Sequence, residues 1–182
     1  SIREFTWNNI TQHNRNPLLG RDESIDGVKT GHTEAAGYCL VGSAKRDGLR
    51  IVATVMGAED ARYRAEAVYS LLKYGFAAYE MHRVYRAGAA VVNAVPVYKG
   101  DRSSVAVGVS QDVQLILPKD AGAGLEASVT VNEPLIAPLD QQQQVGKLIL
   151  GLEGKEIGAY PLVTLDAINQ GSWSSRMLDV IR

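Results

Sequence analysis

The segment D-G-V-K-T-G-H-T, Asp26 to Thr33, places a lysine, a hydroxyl and a glycine together at the end of a β-type run. The edge of such a strand offers N–H and C=O groups with which an extended peptide can pair as an added strand. Lys29 would supply a fixed positive charge that stabilises negative charge developing at a reacting centre. Thr30 adds a hydroxyl able to bind a carboxylate, and Gly31 lets a ligand backbone approach closely. The plainer alternative is a solvated Lys-Thr pair at a strand end. Ser70 and Lys73 form an S-x-x-K string one helical turn apart, where a dyad is conceivable, but Leu71 and Leu72 between them read as core. Cys39, in the apolar run G-Y-C-L-V-G, reads as a small buried residue and not as a nucleophile. His13, His32 and His82 have no ligand-like spacing with this single cysteine, so no metal and no cofactor are expected.

Three β-type runs must hold the K-T-G segment. Ile25 to Thr30 is a short strand expected to end at Gly31, where the backbone can enter conformations closed to other residues. Tyr38 to Met56 reads as a hairpin joined through Lys45 to Gly48, with Asp47-Gly48 as its turn signal. The near-continuous apolar character of these runs calls for cover on both faces of the sheet. One cover is a helix from about Glu59 to Glu80, whose stripe is Val68, Leu71, Leu72, Gly75, Phe76 and Tyr79. The other cover is not in this sequence. Beyond about Met81 the period changes to short alternating runs separated by turn signals at intervals near ten residues, the pattern of a small all-β sandwich or barrel. The expectation is an α+β chain: residues 1–80 an antiparallel sheet with a helix, and residues 81–169 an all-β sandwich-like domain. Residues 170–182, with Trp173, Met177, Val180 and Ile181 at helical spacings behind Ser172, read as the start of an amphipathic helix.

Composition excludes several classes of function. Nineteen basic and twenty acidic residues give a net charge of -1, so no general attraction to nucleic acid is expected. A hydrophobic fraction of 46% with a charged fraction of 21% is that of an ordinary globular protein. The N-terminal S-I-R-E-F-T-W has neither an initiator methionine nor a signal-peptide core, and the chain is expected to be part of a longer protein.

The extended string D-G-V-K-T-G-H-T-x-x-A-G-Y, followed by two strands and a helix, resembles the third active-site motif of the serine penicillin-binding enzymes. N-x-I-T-Q-H-N-R-N-P-L-L upstream, and A-P-L-D-Q-Q-Q-Q-V-G-K with G-K-E-I-x-x-x-P-L-V downstream, are similar to the low-molecular-mass D-alanyl-D-alanine carboxypeptidases of the penicillin-binding protein 5/6 type. The resemblance covers essentially the whole chain, and the appended β-domain argues against a β-lactamase.

That resemblance implies the C-terminal part of a β-lactamase/transpeptidase-like domain. It implies a serine carboxypeptidase that removes the last D-Ala from peptidoglycan stem peptides and is acylated by β-lactam antibiotics. Lys29, Thr30, Gly31 and His32 would form the site, His32 through its backbone N–H as an oxyanion donor, and no metal would be required. Arg64 would help to recognise the peptide's terminal carboxylate, since a guanidinium can donate two parallel hydrogen bonds. The alternatives are an exposed Arg64 paired with Asp60, or Arg62 in its place. The family's nucleophile lies in an S-x-x-K upstream of K-T-G and its second motif is S-x-N; Ser70 lies downstream, and no S-x-N occurs. The chain by itself is therefore expected to be inactive. The resemblance also implies a periplasmic location at the inner membrane, with the tail from Ser172 as a truncated membrane-surface helix. A non-catalytic β-rich spacer or interaction module in the envelope is the alternative function.

Overall fold

The computed structural model describes residues 1–172, and most of the amphipathic helix expected over 170–182 lies outside them. The chain divides into two compact units, Ser1–Met81 with Ile116–Lys119, and His82–Leu115 with the chain from Asp120 onward.

The first unit opens with a ribbon of β1 (Glu4–Trp7) and β2 (Ile10–His13), antiparallel and turned at Asn8 and Asn9, both with positive φ. Asparagine tolerates that region because its short polar side chain bonds locally. Its apolar side chains face solvent; Trp7 is 72% exposed. After a 3-10 turn, Pro17–Gly20, come β3 (Ile25–Thr33), β4 (Gly37–Arg46) and β5 (Leu49–Ala58), an antiparallel sheet in the order β3-β4-β5. Asp47 and Gly48 alone form the hairpin turn, at φ 47 and 85, the primed geometry that matches strand twist. Strand β3 runs two residues past Gly31, which is not among the glycines with positive φ. The expected strand end there is corrected: Gly31 is an ordinary extended residue.

Helix α1 (Ala61–Ala78) starts at an Asp60 cap whose carboxylate accepts the N–H of Tyr63. It lies on the face of Leu40, Ala44 and Ala53, burying Ala65, Val68 and Leu72. Two glycines set the separation. A Cβ on Gly42 would sit 2.4 Å from a methyl of Val68, and one on Gly75 would sit 2.9 Å from Ile51. Leu71, expected in the buried stripe, is 46% exposed, because the stripe that meets the sheet is centred on Val68, Leu72 and Gly75. The opposite face of the sheet shows Val52 at 59% and Met56 at 75% exposure.

Strands β6 (Tyr79–Tyr85) and β9 (Val113–Pro118) form a two-stranded sheet. The second unit is built on β7 (Ala90–Tyr98), β8 (Ser104–Gly108), β10 (Leu125–Val131), β11 (Leu135–Ile136), β12 (Gln144–Leu152) and β13 (Lys155–Thr164). They form one sheet ordered β10-β12-β13-β8-β7-β11, antiparallel except where β11 runs parallel to β7. Its buried residues form two clusters, one around Val107 and Ile168 and one around Leu148, Leu150 and Leu162. This is the β-rich domain that the alternating runs predict, together with the short strand β11, which two residues cannot signal.

Gly42→Ala is expected to lower stability by about 1–3 kcal/mol by overpacking. Val68→Ala in the same chain should recover much of that loss, and paired urea denaturation curves measure both.

Candidate active site

Strand β3 is the terminal strand of its three-stranded sheet, so its outer edge has no strand partner among the described residues. Side chains along it alternate. Lys29 lies opposite Val41, on the face away from α1; Thr30 lies opposite Leu40, on the helix face; Gly31 opposes Cys39, and His32 opposes Tyr38. The two polar side chains of K-T-G therefore stand on opposite faces, and a ligand can meet both only along the edge between them. Lys29 is exposed, and its Nζ donates to the carbonyl of Thr30 at 2.6 Å.

Four anchors fix the strand. At its start, Asp22 accepts the N–H and the hydroxyl of Ser24, at 2.9 and 2.7 Å, and forms an ion pair with Arg46 from the hairpin tip. Ser24 in turn accepts the N–H of Lys45 on its carbonyl. These bonds, those of Ser24 first, hold the Asp22 carboxyl below the usual carboxylate range. Next, Asp26 meets Arg50 of β5 in a two-pronged pair, 2.9 and 2.8 Å, which lowers the Asp26 carboxyl in the same direction. Then Asn16, buried before the 3-10 turn, caps Leu18 and donates to the carbonyl of Gly27 at 3.2 Å.

The fourth anchor is Arg64. The residue is only 6% exposed, and Nη1 donates to the carbonyls of Gly31 and Cys39 at 2.9 and 3.2 Å. Its Cζ stands 5.4 Å from the centroid of the Tyr38 ring, and that ring stacks on His32 with centroids 3.9 Å apart. No acidic side chain pairs with Arg64 among the described residues, and its Nε is buried without a hydrogen-bond partner. Asp60 caps the helix instead of pairing with it, and Arg62 is exposed.

The structure thus gathers Lys29, Thr30, Gly31, His32 and Arg64 around the C-terminal half of β3. It leaves Ser70 and Lys73 elsewhere: both are exposed, and Lys73 lies over the Tyr69 ring at 5.7 Å. Cys39 is only partly buried, where a fully buried residue was expected. Among the described residues no cluster of His, Cys, Asp or Glu could hold a metal. Sequence reasoning passed over Asn16 and Tyr38 as positioning residues, although both fall inside strings it singled out, N-R-N-P and A-G-Y.

Comparison with known proteins identifies the family. Residues 1–60 match the D-alanyl-D-alanine carboxypeptidase family, and residues 79–170 match the family described as penicillin-binding protein 5, C-terminal domain. The chain belongs to the serine D-alanyl-D-alanine carboxypeptidase family of the penicillin-binding protein 5/6 type. It is 38% identical over 182 residues to the D-alanyl-D-alanine carboxypeptidase DacA of Escherichia coli K12, covering 99% of this chain and 45% of that one. To DacD of the same organism it is 36% identical, covering 98% and 46%. The crystal structure of penicillin-binding protein 5 from Haemophilus influenzae matches with a TM-score of 0.78 at 35% identity, covering 93% of this chain and 50% of that one. The chain spans about half the length of the relatives it matches.

The Asp22 anchor gives a pH test. Its carboxyl is depressed in the folded state, so the stabilisation is complete above the unfolded value near 3.9 and disappears as pH falls through the lower folded value. Asp22→Asn should cost about 1 kcal/mol at pH 7, discounted for partial solvent contact. Denaturation curves of the two proteins should converge as the pH is lowered past the depressed folded value of the Asp22 carboxyl.

Proposed function

We propose that this chain forms one wall of the active site of a D-alanyl-D-alanine carboxypeptidase of peptidoglycan maturation. The observation that carries this reading is an open strand edge beside Lys29 and Thr30, backed by a buried guanidinium with no acidic partner among the described residues. A buried cation without a counter-charge is costly, and an incoming carboxylate relieves that cost. A stem peptide ending in D-Ala-D-Ala brings one. Its backbone pairs with the edge of β3, its terminal carboxylate meets the Thr30 hydroxyl within the positive field of Lys29 and Arg64, and its scissile carbonyl reaches the N–H of His32.

The chemistry is acyl transfer to a serine. The serine oxygen attacks the carbonyl carbon of the penultimate D-Ala, and its proton passes by way of a lysine base to the departing amine of the last D-Ala. Water then hydrolyses the ester. Serine and base are assigned to the S-x-x-K segment of the family, outside this chain, so the chain alone performs no reaction. A β-lactam acylates the same serine and stalls there. The β-rich unit closes around cores of its own, which supports a spacer role for it in the same protein. The helical spacing of Trp173, Met177, Val180 and Ile181 in the sequence supports a membrane-surface tail and a location at the periplasmic face of the inner membrane.

Fluorescent penicillin tests this. The complete protein should be labelled and this chain alone should not; labelling of the chain at Ser70 would overturn the assignment. Lys29→Ala should slow acylation of the complete protein by about 10²–10³. Gly31→Ala should leave the melting temperature nearly unchanged, since the added Cβ meets only Cys39 at 3.8 Å, yet it should slow acylation by crowding the ligand.

A further inference from the structure

We infer that Arg64 is a positioning residue, which grips the carbonyl of Gly31 and thereby turns the N–H of His32 toward the open edge of β3. This rests on the reading of His32 given above and extends it to a residue that need not touch the substrate. The carbonyl of Gly31 and the N–H of His32 belong to a single peptide group, which is trans. In a trans peptide these two bonds point in opposite directions. Nη1 of Arg64 holds the Gly31 oxygen on the inner side of the strand, at 2.9 Å, together with the oxygen of Cys39 on the neighbouring strand. The N–H of His32 is then directed outward, where β3 has no strand partner among the described residues.

A second contact works on the same peptide. The Tyr38 ring contacts both groups: its centroid is 5.4 Å from Cζ of Arg64 and 3.9 Å from that of the His32 imidazole. Residue 32 is therefore constrained at its backbone by the carbonyl that Arg64 holds and at its side chain by Tyr38, which the same cation contacts. Packing alone does not call for a guanidinium here, because an apolar side chain of similar volume often replaces a buried charge at no loss of stability. The two carbonyls on adjacent strands are met by the two N–H bonds of one nitrogen, Nη1, whose directions are fixed in the guanidinium plane, and a lysine ammonium at the same depth presents a freely rotating point charge without that fixed geometry.

The inference separates from direct recognition of the terminal carboxylate by choice of substrate. In the complete protein, acylation would be followed with two thioester substrates whose leaving groups differ only in carrying or lacking a carboxylate. Arg64→Lys is expected to lower the acylation rate constant about 10- to 100-fold on both, below the 10²–10³ of losing an oxyanion donor outright. Apparent binding of the carboxylate-free substrate should hardly change. Arg64→Met, which keeps the stem but no donor, should show the same pattern in protein whose circular dichroism matches that of the wild type. A defect confined to the carboxylate-bearing substrate, or full rates on both in either folded variant, overturns the inference while leaving the carboxypeptidase reading intact. A wild-type protein that neither substrate acylates overturns both.

Discussion

The distance between helix α1 and its sheet is the constraint on which the site depends. Gly42 and Gly75 allow Val68 and Ile51 to occupy space that any side chain would fill, and the helix axis settles closer to the strands than larger residues permit. Arg64 lies one helical turn before Val68. Lowered to that depth, its side chain passes under the end of the sheet and reaches carbonyls on β3 and β4, where an arginine on a more distant helix would extend to solvent. A packing feature at the middle of the helix thus determines what a polar group can do at its start.

The remaining anchors divide the length of β3 among different physical interactions. Its beginning is held by a turn and an ion pair at Asp22, its bend at Gly27 by the amide of Asn16, and its outer face by the Asp26–Arg50 fork. Each is individually modest, and the exposed ion pairs are weakened further by solvent. Their common effect is register, since a strand displaced by one residue would exchange the faces of Lys29 and Thr30.

Much of this was legible in the sequence because the relevant signals are local. Asp47-Gly48 marks the hairpin through the backbone conformation those residues adopt, and the alternating valines of β7 and β8 mark one-sided burial. The parts that were not legible have equally specific causes. The ribbon β1–β2 has its aromatic residues in solvent and turns on Asn8-Asn9, so neither burial nor a glycine identifies it. Strand β6 begins at Tyr79 directly at the end of α1, without an intervening turn residue. Leu71 fits the spacing of the buried stripe yet stands at its margin. The burial of Arg64 runs against the ordinary behaviour of arginine and follows from helix depth, which no short motif encodes.

The order of the strands carries a kinetic meaning. In the first unit β3, β4, β5 and α1 each pack on a neighbour in sequence, so their contacts close short loops. In the β-rich unit β13 pairs with β8, with Val163 opposite Gly108, across a loop that contains three other strands of the same sheet. Chain entropy makes such distant pairings slow to find and local ones fast. The sheet bearing K-T-G can therefore assemble early, from its own stretch of chain, while the β-rich unit waits for its two halves to meet.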